Sequence, residues 1–244
     1  LNKKGNQDGF IIKCNATGEI EWAKTIGNTS KDGVNSAIET KDGGCIAVGF
    51  LSSSSIDLGN GMTITITNNH KQDGFIIKYN ANGECEWKKS IGNYGNDYFK
   101  YAIECSDGGY LVAGEYDSSG IELENGKYIY NKGDTDGILL KYTANGEFEW
   151  YSLISGDSAD EIRSITECSD GGYLIGGRSS SNFVNLNNGK GLEKDSSYDF
   201  YYGYVAKYDK NGMAKWTKNI GEGKTYASVC AVFELENEQC RVLG

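Results

Sequence analysis

Three aspartates at matching places in a recurring connector are the first residues whose spacing suggests chemistry. They are Asp32 in GNTSKDGVN (Gly27–Asn35), Asp97 in GNYGNDYFK (Gly92–Lys100) and Asp160 in SGDSADEI (Ser155–Ile162). The fourth connector, GEGKTYAS (Gly221–Ser228), has Lys224, Thr225 and Tyr226 instead. Gathered round an axis, such carboxylates would supply part of the roughly six to eight oxygens that Ca2+ takes. The same residue type also caps its own turn by accepting backbone N–H groups, and that is the simpler reading.

Aromatic rings suggest a second chemistry. Tyr94 and Tyr98 flank Asp97, Tyr226 sits in the fourth connector, and SSYDFYYGY (Ser196–Tyr204) adds more rings in a chain with 17 Tyr. Exposed rings of this amphipathic kind suit sugar stacking or protein contact, or else cover sheet edges. The ligand-binding candidates are therefore Tyr94, Asp97, Tyr98, Asp160, Asp32 and Tyr226. His70, in NNHKQ, has no Ser, Cys or paired acid at a recognisable spacing and reads as surface decoration. Glu84 and Glu86 alternate with Trp87, so solvation of an exposed strand face explains them better than a glycosidase acid pair. Seven cysteines without zinc spacing read as small buried hydrophobes rather than as a disulfide framework. No catalytic residue and no protein metal site is assigned.

The elements that must position these residues form a repeat. DGFIIKCNATGEIEWAKTIG (Asp8–Gly27) recurs as DGFIIKYNANGECEWKKSIG (Asp73–Gly92), DGILLKYTANGEFEWYSLIS (Asp136–Ser155) and YGYVAKYDKNGMAKWTKNIG (Tyr202–Gly221). Its Trp22, Trp87, Trp150 and Trp216 lie 65, 63 and 66 residues apart. Each copy is two β-rich runs about a Gly-containing turn, a hairpin signal. In its second arm Cys85, Trp87 and Ile91 share one face while Glu84, Glu86 and Lys88 share the other. A second hairpin follows in AIETKDGGCIAVG (Ala37–Gly49), AIECSDGGYLVAG (Ala102–Gly114), ITECSDGGYLIGG (Ile165–Gly177) and VFELENEQCRVLG (Val232–Gly244). Its continuous apolar arm predicts a strand covered on both faces, which makes this hairpin interior and the Trp-bearing one peripheral. IDLGNGMTIT (Ile56–Thr65), IELENGKYIY (Ile121–Tyr130) and VNLNNGKGLE (Val184–Glu193) predict a third hairpin, decorative rather than core.

Composition removes several partners. A net charge of −10 argues against nucleic acid and against an anionic membrane surface. No run approaches the ~20 apolar residues of a membrane span. Gly is 34 of 244 residues and Pro is absent, so turns rest on Gly, Asn and Asp. The start, LNKKGNQDGF, lacks the apolar core of a signal peptide, and the chain reads as a processed piece.

Four strands per unit, repeated four times, predict an all-β fold of the β-propeller type. The indoles would be buried between neighbouring blades. The repeats run about 35–99, 100–162 and 163–221, with 1–34 joined to 222–244, all in one domain, 1–244. Residues from both ends thus complete one blade, predicting a four-bladed ring closed by its N- and C-terminal segments.

DGFIIKYNANGECEW, the following GNYGNDYFKYAIECSDGGYLVAGEY and the IELENGKYIY insert resemble the bacterial SBBP-type β-propeller repeats. Those run Asp-Gly/Ala-Phe-x-x-Lys, a turn with Gly, Trp, Gly-x-x-x-Asp, then Asp-x-Gly and a strand ending in Gly. The resemblance covers nearly the whole chain. It implies a secreted or cell-surface bacterial protein, a ligand end where the connectors run toward the axis, and interaction scaffolding rather than one activity. More distantly, the Asn-Gly-x-x-x-Trp segment is similar to the quinoprotein repeat, but four units are too few for that eight-bladed ring. The expected function is a non-enzymatic module binding a protein or glycan. The alternatives are a carbohydrate-active lyase or hydrolase using axial carboxylates, and a structural spacer within a longer repeat protein.

Overall fold

The computed structural model describes residues 3–66, 71–186, 189–194, 201–221, 226–236 and 239–244. His70, Lys224, Thr225, most of the Ser196–Tyr204 run and the 237–238 turn lie outside the described residues. Among the described residues the fold is all-β and antiparallel, without an α-helix. The chain divides into two compact units, Leu1–Ala102 with Ser118–Ile129, and Ile103–Asp117 with Tyr130–Gly244.

The first unit contains β1 (Gly9–Cys14), β2 (Ile20–Ile26), β3 (Gly33–Glu39), β4 (Cys45–Leu51), β5 (Ser55–Gly59), β6 (Met62–Thr65), β7 (Asp73–Tyr79) and β8 (Cys85–Ile91). The chain leaves it within β9 (Asp97–Glu104), enters the second unit for β10 (Tyr110–Tyr116), and returns for β11 (Ile121–Glu122) and β12 (Tyr128–Ile129). The second unit continues with β13 (Asp136–Tyr142), β14 (Phe148–Gly156), β15 (Asp160–Glu167), β16 (Tyr173–Ser179), β17 (Phe183–Asn185) and β18 (Gly191–Glu193). It ends with β19 (Tyr202–Tyr208), β20 (Ala214–Ile220), β21 (Ala231–Glu234) and β22 (Cys240–Leu243).

Two four-stranded sheets repeat one order, β3-β4-β7-β8 in the first unit and β15-β16-β19-β20 in the second. Each joins the two predicted hairpins through their middle strands. The register is the same wherever those strands meet: Cys45 faces Tyr79, Tyr110 faces Tyr142 and Tyr173 faces Tyr208. β4, β10 and β16 are almost wholly buried, as their apolar runs predict. β7 and β13 are equally buried. The Trp-bearing hairpin is therefore peripheral only in its second arm, because its first arm lies between two hydrogen-bonded neighbours.

One residue in those middle strands breaks the apolar pattern. Lys78 is 1% exposed, and its Nζ donates to Asp42 at 2.7 Å, to Glu86 at 3.0 Å and to the Tyr79 carbonyl at 3.0 Å. Lys141 repeats this with Asp107 at 2.9 Å, Glu149 at 3.0 Å and the Tyr142 carbonyl at 3.3 Å. The aspartate comes from the Asp-Gly-Gly turn of the inner hairpin and the glutamate from the Trp-bearing strand. Lys78 Nζ thus ties together three strands, β4 through its preceding turn, β7 and β8. Glu86 belongs to this network rather than only to a solvated face. Lys207 keeps its aspartate, Asp170, at 2.7 Å. Lys215 takes the place of the glutamate and turns to Asp209 at 3.2 Å.

Two of the indoles reach the next repeat. Trp22 Nε1 donates to the Ala81 carbonyl at 2.9 Å, and its ring covers Gly83, where a Cβ would lie 2.8 Å from the indole. Trp150 covers Gly212 in the same way, at 2.5 Å. Both glycines have left-handed φ, 75° and 76°, so the turn needs glycine for its backbone as well as for the close approach. Trp22, Trp87 and Trp150 are half-buried rather than fully enclosed, and Trp216 is 39% exposed, against the expectation of buried indoles.

The third hairpin forms as predicted in all three inserts, β5–β6, β11–β12 and β17–β18. It is not decorative. Ile56, Leu58 and Ile64 join the first unit's core, and β17 adds to the edge of β14. The cysteines divide as well: Cys45, Cys85, Cys105 and Cys168 are buried, whereas Cys14, Cys230 and Cys240 are exposed.

Candidate functional site

The three connector aspartates are buried, Asp32 and Asp160 at 0% exposure and Asp97 at 2%. Each accepts donors of its own connector and of the strand end beside it. Asp32 takes the Asn28 N–H at 3.0 Å, the Ser52 and Ser53 N–H groups at 2.8 and 2.9 Å, and the Ser53 hydroxyl. Asp97 takes the Asn93 N–H at 3.1 Å, and the Ser118 hydroxyl and N–H. Asp160 takes the Ser179 and Ser181 hydroxyls. This is the capping arrangement. It stiffens the connector, because one carboxylate satisfies several donors that loop backbone would otherwise leave to water.

A second row of aspartates stands beside the first. Asp8 accepts from Lys4 N–H at 2.6 Å and Asp136 from Lys132 N–H at 2.9 Å. The two rows are joined through backbone: Asp32, Asp97 and Asp160 donate N–H to the carbonyls of Gln7, Gln72 and Thr135 at 2.7–2.8 Å. In the second unit this brings two buried acids into one field. Burial pushes Asp136 up to about 6, offset in part by the Lys132 N–H. Burial also pushes Asp160 up to about 7, with Asp136 adding to the rise and the two serine hydroxyls opposing it.

The predicted rings fall differently. Tyr94 and Tyr226 are 68% and 71% exposed on their connectors. Tyr98 is half-buried, edge-on to Phe50 at 6.2 Å, with Lys100 Nζ 6.0 Å from its centroid. Tyr94, Asp97 and Tyr98 thus share one connector, with the acid and the second ring turned inward and the first ring turned out.

One constellation in the second unit was not legible as a site. Glu161 on β15 accepts from Arg163 at 3.1 Å and from Arg178 on β16 at 2.5 Å. Arg178 lies 4.3 Å from the centroid of Tyr201, a cation–π stack. The available signal was departure from the repeat: Gly33 and Tyr98 stand where Glu161 is, Asn35 and Lys100 where Arg163 is, and Phe50 and Glu115 where Arg178 is.

Cys168, Asp170 and Glu234 bring one metal-ligating atom each within 4.8 Å of one another. Their space is already shared with cations and donors, since Lys207 binds Asp170 at 2.7 Å and the Ser169 N–H binds Glu234 at 2.6 Å. The first unit has a cavity of about 250 Å³ lined by Ile11, Lys13, Cys14, Trp22, Ile38 and Cys45 among others.

No family model matches the chain. The regulatory protein FlaEY of Caulobacter vibrioides is 28% identical over 155 residues, a match spanning 62% of this chain and 16% of that protein. A protein of unknown function from Bacteroides caccae aligns with a TM-score of 0.45 at 13% identity, over 97% of this chain and 65% of that one. The chain therefore spans a small part of the first protein and less than two thirds of the second.

The raised pKa of Asp160 predicts a pH dependence with a definite sign. Stability from its protonated form is present below its ordinary value of 3.8 and is lost as pH rises through about 7. Asp160→Asn stays neutral throughout, so its melting temperature relative to wild type should rise between pH 4 and pH 8. The gain is on the order of a few kcal/mol at most, at about 1.4 kcal/mol per pKa unit. A difference that does not change with pH would contradict the assignment.

Proposed function

We propose that this chain is a four-bladed β-propeller of a bacterial surface or secreted protein, which binds a protein or glycan through the face carrying its connectors. The observation that carries the binding reading is Tyr94. Its ring is 68% exposed, on a loop pinned at Gly95 by the Ser118 hydroxyl at 2.8 Å and at Asn93 by buried Asp97. A large exposed ring on a pre-ordered loop loses little entropy on binding, which favours recognition. The resemblance to SBBP-type repeats supports the surface location. Among the described residues no helix is long and apolar enough to cross a membrane.

Ring closure has its own support, found in each unit separately. β1 holds the place of β7, yet Phe10 and Ile12 are 60% and 37% exposed while Phe75 and Ile77 are 0%. β22 holds the place of β4, with the same register to its hairpin partner, yet Leu243 is 52% exposed while Val48 is 0%. Among the described residues β1 pairs with β2 alone and β22 with β21 alone, whereas β4 and β7 also pair with each other; a closed ring would pair the two exposed arms.

Two outcomes follow. On an array of glycans and secreted-type proteins, the chain should give specific hits that Tyr94→Ala reduces and Tyr130→Ala, on an insert rather than a connector, leaves intact; an array without hits would remove the binding reading. In a sealed ring the register that sets Cys45 opposite Tyr79 would set Cys240 opposite Cys14, at the ~5 Å Cα separation a disulfide spans. Exchange with oxidised glutathione should then form an intramolecular disulfide that Cys14→Ser abolishes. Cross-linked dimers alone, or no change, would contradict closure.

A further inference from the structure

We propose that Arg163 and Arg178, set by Glu161 and Tyr201, bind the carboxylate of an acidic sugar. The proposal rests on the binding reading above and narrows its ligand. The chain has only three arginines in a protein of net charge −10, and two of them converge on one glutamate. The repeat does not need them for folding: the equivalent positions elsewhere carry Asn35 with Phe50, and Lys100 with Glu115, in the same strand order. A guanidinium has five N–H donors in a fixed fork, and Glu161 takes one bond from each arginine. Both Nε donors are buried and find no acceptor among the described residues. The side chains remain 34% and 29% exposed, so their outer donors are open to a ligand.

The surroundings fit a sugar acid better than a simple anion. Glu161 holds Arg178 by a hydrogen bond and buried Glu115 adds its field, so the cluster already contains acids before any ligand arrives. Its preference would then come from the shape of the forks, which match a planar carboxylate in a bidentate way, and not from net charge. Beside them, the Ala227 N–H donates to the Tyr201 backbone carbonyl at 3.1 Å, which ties the segment of exposed Tyr226 to the residue whose ring stacks on Arg178. A pyranose carrying a carboxylate offers an apolar ring face and an acceptor within one residue's span. An aromatic face next to a fork addresses both. Tyr204 fixes β15 from below, its hydroxyl donating to the Glu161 carbonyl at 2.9 Å.

Calorimetric titration of the whole chain with a galacturonate trimer and with the corresponding neutral galactose trimer tests this. The acidic trimer should bind, and the neutral one should bind at least tenfold more weakly. Arg178→Lys keeps the charge but loses the fork and the stack, and should weaken acidic binding about tenfold; Arg163→Gln should do the same if Arg178→Lys fails to fold. Arg241→Gln, on exposed β22, should change nothing. Equal binding of both trimers, or acidic binding indifferent to Arg163 and Arg178, would overturn the proposal while leaving the binding-module reading in place. Binding of acidic peptides in preference to acidic sugars would also overturn it. No binding on the array or in the calorimeter would remove both.

Discussion

The ammonium of a lysine enclosed in the middle of a sheet is the interaction on which the sheets of Lys78 and Lys141 depend. An isolated ammonium in such a place costs several kcal/mol in lost hydration. It persists because two carboxylates reach it from the surface, Asp42 and Glu86 for Lys78, Asp107 and Glu149 for Lys141. The acids stay about half exposed, so only one ion of each triad is desolvated. That asymmetry makes the triad affordable to the fold. It also specifies register, since a slip of one residue would turn the ammonium to the opposite face and leave it unmatched. The Lys78 ammonium, with the Thr40 hydroxyl, holds Asp42 down at about 2, so the inner turn stays charged at any ordinary pH.

With the strands locked at their turn end, the opposite end is free to carry variation. There the buried aspartates tie down the connectors from within, and what they leave outside differs from one repeat to the next. Asp97 supports the exposed ring of Tyr94, while Asp160 stands beside the Glu161 cluster. A repeated cap that accepts backbone donors permits this, because it does not depend on the identity of the side chains around it. Asp32 shows the bare form, followed by Gly33 with nothing projecting.

Much of the architecture was legible because it rests on local signals. The tryptophan spacing set the repeat, the Gly turns set the hairpins, and apolar runs such as CIAVGFL and YLVAGEY marked buried strands. The capping role of Asp32, Asp97 and Asp160 was also within reach, since Asp in a tight connector has few other uses. What escaped depends on residues far apart in sequence. Lys78 sits in an otherwise apolar strand, and only the arrival of Asp42 from 36 residues away explains its burial. The Glu161 cluster joins Arg163 and Arg178 across two strands, and no single-strand pattern announces it. Exposure of Cys14 and Cys240 escaped for the converse reason: their equivalents Tyr79 and Cys45 are buried opposite each other in paired middle strands.

The central claim is that these buried lysines are charged and held by their acids. Burial alone would lower the Lys78 pKa, but the hydrogen bonds of Asp42 and Glu86 outweigh it and the value rises above 10.5. Lys141 behaves alike with Asp107 and Glu149. Side-chain nitrogen NMR of the lysines across an alkaline titration tests this most directly. Lys78 and Lys141 should keep their protons at pH values above the ordinary lysine value of 10.5. If they titrate below it, desolvation wins, and the enclosed ion triad is not what holds the sheets in register.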